Sequence, residues 1–183
     1  MTVQIIRDAL PLELAEECRA LFLEAQFGRM PNEDGDFFGK TFPEGGFGIP
    51  SPDEVYITDF ETGNIPRVRD IVGSHVVPAA RAAMRCPVNG ARLYFYKFPV
   101  GGHLRLHTDK YAGHSGFVWH LSKNWAWDWG GLMIDVDGEI GNATLPVFNS
   151  LVLIEHSKAV PHLVTQVAPW AKEPRMIVSG IIH

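Results

Sequence analysis

Runs of one kind are what this 183-residue chain lacks. It has no cluster of Lys and Arg, its formal net charge is −5, and nowhere do 18 apolar residues follow one another. The first lack argues against a nucleic-acid or anionic-membrane surface. The second leaves no candidate for a membrane-spanning helix. Cysteine is nearly missing: Cys18 and Cys86 are too few for a disulfide framework, which suits a reducing compartment, and neither is read as a nucleophile. Residues Met1 to Asp8 carry no basic region followed by a long apolar run, so a secretory signal is not expected. The expectation is a soluble, cytoplasmic protein with no nucleic-acid and no membrane partner. No internal repeat or low-complexity tract occurs.

What is present is an ordinary globular composition, 46% apolar and 20% charged, with 13 Pro and 18 Gly to punctuate many short elements. One domain over 1–183 is expected, with 1–90 as helical support and a possible lid, and 91–183 as a β core. Val3 to Ile6 reads as a short strand. Leu14, Cys18, Leu21, Phe22 and Ala25 recur at helical spacing and predict an amphipathic helix over 11–27 that packs on a sheet. Periodicity fails over 28–54, where Phe37, Phe38, Phe42 and Phe47 favour a lid over a linker. A strand over 55–60 and a second helix over 67–84 follow, the latter interrupted by Gly73 and Pro78, which imply a kink. His75 in it is read as a packed or surface residue. Beyond Gly90 come seven short β-rich runs, at about 91–98, 103–109, 116–121, 132–136, 150–155, 160–167 and 175–182. The expected fold is α+β, mainly β, a jelly roll with N-terminal helices packed on one sheet.

The chemistry centres on 101–109. In an extended strand His107 and Asp109 point the same way, so an imidazole and a carboxylate can reach one ion. H-x-D alone is weak, since it arises by chance. One more His completes the 2-His-1-carboxylate triad of non-heme Fe(II) oxygenases, and His162 in a late strand-like run is the expected third ligand. His103 shares the face but lacks an Asp two residues on. Arg175 heads an otherwise apolar strand. Facing inward it needs an anion, and a dicarboxylate co-substrate suits the guanidinium fork; facing outward it meets water.

In order, the chain contains His107-Thr108-Asp109, Trp119-His120-Leu121, Trp129-Gly130-Gly131-Leu132, Asn149-Ser150-Leu151, His162-Leu163-Val164-Thr165-Gln166-Val167 and Arg175-Met176-Ile177-Val178-Ser179-Gly180. Over about 80 residues this resembles the Fe(II)- and 2-oxoglutarate-dependent dioxygenases of the prolyl-hydroxylase type, whose motif runs H-x-D, G-G, N-x-L, H-x-V-x-x-V and R-x-x-x-S-G. The resemblance implies a double-stranded β-helix, with His107, Asp109 and His162 as iron ligands and Arg175 on the distal carboxylate of 2-oxoglutarate. It also implies O2 as co-substrate, release of succinate and CO2, hydroxylation of an unactivated C–H bond, and ascorbate as an expected additive in vitro. Relatives often carry two tyrosines where Phe98 and Leu104 stand here, so a hydroxyl toward 2-oxoglutarate must come from Tyr96 or Tyr94. His120 is a candidate hydrogen-bonding neighbour of the co-substrate, and Trp119 a candidate substrate contact. Arg105, two residues before His107, is expected to share its face and to grip an anionic group of the substrate, the alternative being an edge position from which it bends out to solvent. Expected substrates are an amino acid, a related small molecule or a prolyl side chain of a protein. The rival reading is a cupin-like module that binds a metal or ligand without turnover, supported by the missing tyrosines and opposed by Arg175.

Overall fold

The computed structural model describes residues 3–29, 56–57, 65–86, 90–107, 115–155 and 161–182. The first expectation met is β1 (Gln4–Ile6), followed by α1 (Leu12–Glu24). Then come β2 (Gly28–Arg29) and β3 (Tyr56–Ile57). The second helical region is α2 (Pro66–Ile71), a π-helical turn (Val72–Val76) and α3 (Val77–Met84). Where Gly73 and Pro78 lead one to expect a kink, the helix carries this π turn. Pro78 has no N–H to donate, and just before it the Val77 N–H reaches back five residues to the Val72 carbonyl, so the register shift is made where the ladder is already interrupted.

The β core comprises β4 (Ala91–Phe98), β5 (Leu104–His107), β6 (Ser115–His120), β7 (Met133–Asp137), β8 (Ile140–Thr144), β9 (Leu151–Glu155), β10 (His162–Val164) and β11 (Arg175–Ile182). All pairs are antiparallel and form two sheets, one ordered β1-β9-β6-β11-β4-β3-β2 and the other β5-β10-β7-β8. This is the expected jelly roll with helices. The eighth strand, β8, is absent from the seven-strand reading because Ile140-Gly141-Asn142-Ala143-Thr144 is an exposed edge strand with no buried face to impose alternation. The possible lid over 28–54 lies, apart from Gly28 and Arg29, outside the described residues.

The larger sheet separates two cores. On its helix side, Leu93, Phe95, Phe117, Trp119, Leu151, Leu153, Met176 and Val178 pack against Ala15, Cys18 and Phe22 of α1 and Val68, Val72 and Val76 beyond. Phe22 lies 5.7 Å from Phe95, centroid to centroid; truncating so fully buried a ring costs about 3–5 kcal/mol. Between the sheets lie Tyr94, Tyr96, Phe98, Val118, Val152 and Ile177, facing Met133 and Val164 of the smaller sheet. The strands alternate one residue to each core, so position parity decides which side chains reach the space between the sheets.

Asn149 locks the helical layer on. With φ 56° it turns the chain into β9. Its side chain accepts from the Leu10 N–H (3.1 Å) and the Trp119 indole N–H (3.3 Å) and donates to the Leu10 carbonyl (2.7 Å). An amide both accepts and donates, and here it does so to the two backbone groups of Leu10 at once, which gives a physical reason for the Asn of the N-x-L block.

Candidate functional site

Arg175 opens β11, opposite Phe98 in β4. Met176 and Val178 belong to the helix-side core and Ile177 to the inter-sheet core, so parity puts Arg175 between the sheets. Its guanidinium lies over the Phe98 ring at 4.9 Å. Four contacts hold the strand start in place. The Ser122 hydroxyl donates to the Pro174 carbonyl (3.1 Å) and accepts from the Met176 N–H (2.7 Å), bracketing Arg175 on both sides. Glu173 accepts from the Lys123 N–H (2.5 Å) and pairs with Arg19 of α1.

The Gly130-Gly131 pair shapes the wall beside it. A Cβ on Gly131 would lie 3.0 Å from Arg175 Cδ and 3.1 Å from the Trp125 ring; one on Gly130 would lie 1.9 Å from the Gln166 carbonyl oxygen. Both also have positive φ, 66° and 61°, where glycine is least strained. The G-G block is thus a steric requirement of the Arg175 chamber. Trp125 closes this wall, donating to the Gly130 carbonyl (2.8 Å) and packing edge-on to Trp129 at 5.2 Å.

Arg175 is 1% exposed, and among the described residues its Nε and Nη1 have no hydrogen-bond partner. Burial pulls the guanidinium down to about 9 from its usual 12.5. His120, at the end of β6, is fully buried, and likewise neither ring nitrogen has a partner among the described residues. Burial first, then the charges of Arg175 and Arg7, hold its imidazole well below the usual 6.5, so it is neutral at physiological pH. Two buried polar side chains thus stand on the inner face of the larger sheet, with ring and guanidinium nitrogens that have no partner among the described residues. On β4 this face continues as a ladder: Tyr96 lies 6.2 Å from Phe98 and 6.2 Å from Tyr94. Burial raises the Tyr94 hydroxyl above its usual range, partly offset by its hydrogen bond to Arg92.

On the smaller sheet, His162 pairs in register with His107 in β5 and with Asp135 in β7. Directly opposite residues of an antiparallel pair share a face, with Cβ atoms about 4.5–5.5 Å apart. His162 is 6% exposed and shares parity with Val164 of the inter-sheet core. Two of the three expected ligand positions are therefore neighbours on one face, although 55 residues separate them. Asp109 and the side chains of His107 and Arg105 lie outside the described residues. Among the described residues no group of three His, Cys, Asp or Glu is placed to hold a metal ion. The register between β5 and β10 slips by one residue, Leu104 opposing Val164 while His107 opposes His162. A bulge of this kind breaks the alternation from which a common face for Arg105 and His107 was expected. His103 precedes β5, with Nδ1 3.0 Å from the Gly101 carbonyl oxygen.

Trp119 requires a correction. It is fully buried on the helix side of the larger sheet, its indole bonded to Asn149, and so is turned away from the chamber. Neighbours in a strand point to opposite faces, and His120 takes the inner one. Asp135 went unnoticed in the sequence. It is 2% exposed, in the same cross-strand row as the two histidines, and accepts from Asn142 Nδ2 at 3.2 Å. The only sequence signal was an Asp at the inward parity of Met133-Ile134-Asp135.

Residues 93–183 match the family model of the 2OG-Fe(II) oxygenase superfamily. No curated protein sequence matches the chain. Among solved structures, a Pseudomonas putida prolyl-4-hydroxylase aligns with a TM-score of 0.63 at 18% identity, covering 99% of this chain and 91% of that one. A Trichoplax adhaerens prolyl hydroxylase, in complex with a hypoxia inducible factor oxygen degradation domain peptide fragment, gives 0.66 at 15%, covering 98% and 82%. HygX from Streptomyces hygroscopicus, with nickel and 2-oxoglutarate bound, gives 0.66 at 11%, covering 97% and 81%.

Proposed function

Because the chain belongs to the 2OG-Fe(II) oxygenase superfamily and is a 2-oxoglutarate-dependent iron oxygenase, we propose that it hydroxylates an unactivated C–H bond of an amino acid, a prolyl residue or a related small molecule. The observation that carries this reading is the buried guanidinium of Arg175, which has two donors without a partner among the described residues. A charge so placed is costly unless an anion joins it. A dicarboxylate does so bidentately. The donor set fits a ferrous ion: two histidine positions stand opposite one another in register, and Asp109 would supply the carboxylate of the triad.

In this proposal His107, Asp109 and His162 hold the iron, and Arg175 takes the distal carboxylate of 2-oxoglutarate. Neutral His120 and Tyr96 line the same chamber as hydrogen-bonding groups. Arg105 is retained as a substrate contact for an anionic group; Trp119 is not. When bound, iron and 2-oxoglutarate supply the oxidising chemistry, with succinate and CO2 as products. The chain's own residues do the rest. Arg175 fixes the orientation of the co-substrate, and Phe98, Trp125 and Val167 keep water from the chamber. That exclusion strengthens each polar contact made inside it. No helix among the described residues is long and apolar enough to cross a membrane.

The test is turnover: Fe(II), 2-oxoglutarate, O2 and ascorbate, with pools of amino acids and prolyl peptides, followed for succinate and for substrate gaining one oxygen atom. Succinate formation that rises with one pool supports the proposal. Tight binding of iron and 2-oxoglutarate with no product from any pool would leave the non-catalytic cupin-like alternative.

A further inference from the structure

We propose that Asp135 is a positioning residue for His162, an outer carboxylate that accepts from the imidazole and fixes its orientation toward the metal; this rests on His162 being a ligand as proposed above. Across the smaller sheet, His107, His162, Asp135 and Asn142 stand opposite one another in register on β5, β10, β7 and β8. The neighbouring position of the same parity on β7 is Met133 and that on β10 is Val164, both in the apolar core. One polar row therefore crosses an otherwise hydrophobic inner surface.

Asp135 is 2% exposed, and no Lys or Arg among the described residues pairs with it. A carboxylate out of water needs hydrogen-bond donors. Asn142 supplies one, to Oδ2, from the solvent side of the row. The row offers one further neighbour, His162, on the opposite side, whose Cβ in a directly opposed pair lies within about 5.5 Å. A ligating imidazole has a second ring nitrogen to spare. A carboxylate acceptor there selects the tautomer and raises the basicity of the coordinating nitrogen. Asn142, itself held by the β7–β8 pairing, keeps the carboxylate aimed along the row.

The test uses Mn(II) alone, titrated into the full chain without 2-oxoglutarate, for wild type and for D135A, D135N, N142A and H162A. Circular dichroism checks that each variant is folded. D135A is expected to bind Mn(II) about 10–100-fold more weakly, as loss of such an outer partner generally does. D135N, whose amide oxygen still accepts, and N142A should each lose less than D135A. The second readout is the nitrogen chemical shift of the His162 ring in the Zn(II)-loaded protein, which should report one tautomer in wild type and a changed one in D135A. If D135A does not fold, the D135N affinity and its tautomer signal decide. D135 variants that bind Mn(II) as wild type does, with an unchanged His162 signal, overturn the inference. So does a D135A loss as complete as that of H162A, since Asp135 would then be a ligand. If H162A itself binds as tightly as wild type, the ligand assignment fails first, a result distinct from either of these.

Discussion

Replacing Arg175 with Met should move stability and co-substrate affinity in opposite directions. In the protein without an anion, the guanidinium is 1% exposed with Nε and Nη1 unpartnered among the described residues. Burial draws it from 12.5 to about 9, and at about 1.4 kcal/mol per pH unit this sets an upper bound near about 5 kcal/mol on what the charge costs the fold at neutral pH. Met has similar length, keeps contact with Phe98, and carries no charge to desolvate. Replacing buried charges by apolar groups of like volume gains about 1–4 kcal/mol, and each kcal/mol shifts Tm by about 2–4 °C in a chain this size. The apo variant should therefore melt several degrees higher. Binding goes the other way. Two charge-assisted hydrogen bonds at about 1.5–3 kcal/mol each correspond to a loss of 2-oxoglutarate affinity of at least about 100-fold. R175K, a point charge without the fork, should recover little of it. The assays are thermal melts of apo protein and calorimetric titration of 2-oxoglutarate into the Mn(II)-loaded protein. An R175M variant that is less stable without ligand and binds 2-oxoglutarate as wild type does would refute the reasoning, because Arg175 would then be an ordinary structural cation.

Other residues give independent expectations. N149A removes three side-chain hydrogen bonds and leaves the Leu10 amide and carbonyl unsatisfied; a loss of about 2–4 kcal/mol in urea unfolding is expected, and a change under about half a kcal/mol would contradict the clamp. G130A should fail to fold or lose more than about 4 kcal/mol, since its Cβ meets the Gln166 carbonyl oxygen at 1.9 Å. G73A, which meets nothing within 4 Å on an exposed helical turn, should be neutral or gain up to about 1 kcal/mol. Equal effects at the two glycines would undo the steric account. For His120, the unfolded imidazole takes a proton below pH 6.5 while the buried one stays neutral. The unfolded state then binds more protons, so wild-type stability should fall as pH drops below 6.5. H120Q should flatten that slope in unfolding curves between pH 7 and 5; parallel slopes would mean that His120 is not held neutral.

Much of the β core could be read from residues whose pattern is imposed by burial. Leu93 to Phe98 and Met176 to Ile182 alternate between two cores, and both strands lie where their β-branched and aromatic residues indicate. β8 left no such trace because it is exposed, Ile140 being 67% accessible. Residue type gave away the G-G and Asn149 blocks, but only the folded structure explains them, through a carbonyl 1.9 Å from an absent Cβ and an amide that bridges to Leu10. Side-chain direction was harder. Trp119 and His120 are adjacent in sequence, and nothing local says which faces the chamber; the pairing of β6 with β11 settles that. The bulge between Leu104 and His107 and the placement of Asp135 opposite His162 are likewise matters of register between distant strands.

The proposed function depends on His107, Asp109 and His162 sharing one ferrous ion. Anaerobic equilibrium dialysis of Fe(II) against wild type, H107A, D109A and H162A, with H103A as control, tests it directly. One iron per wild-type and H103A chain is expected, with a marked loss in each of the other three. Iron retained by H162A, or lost from H103A alone, would contradict it.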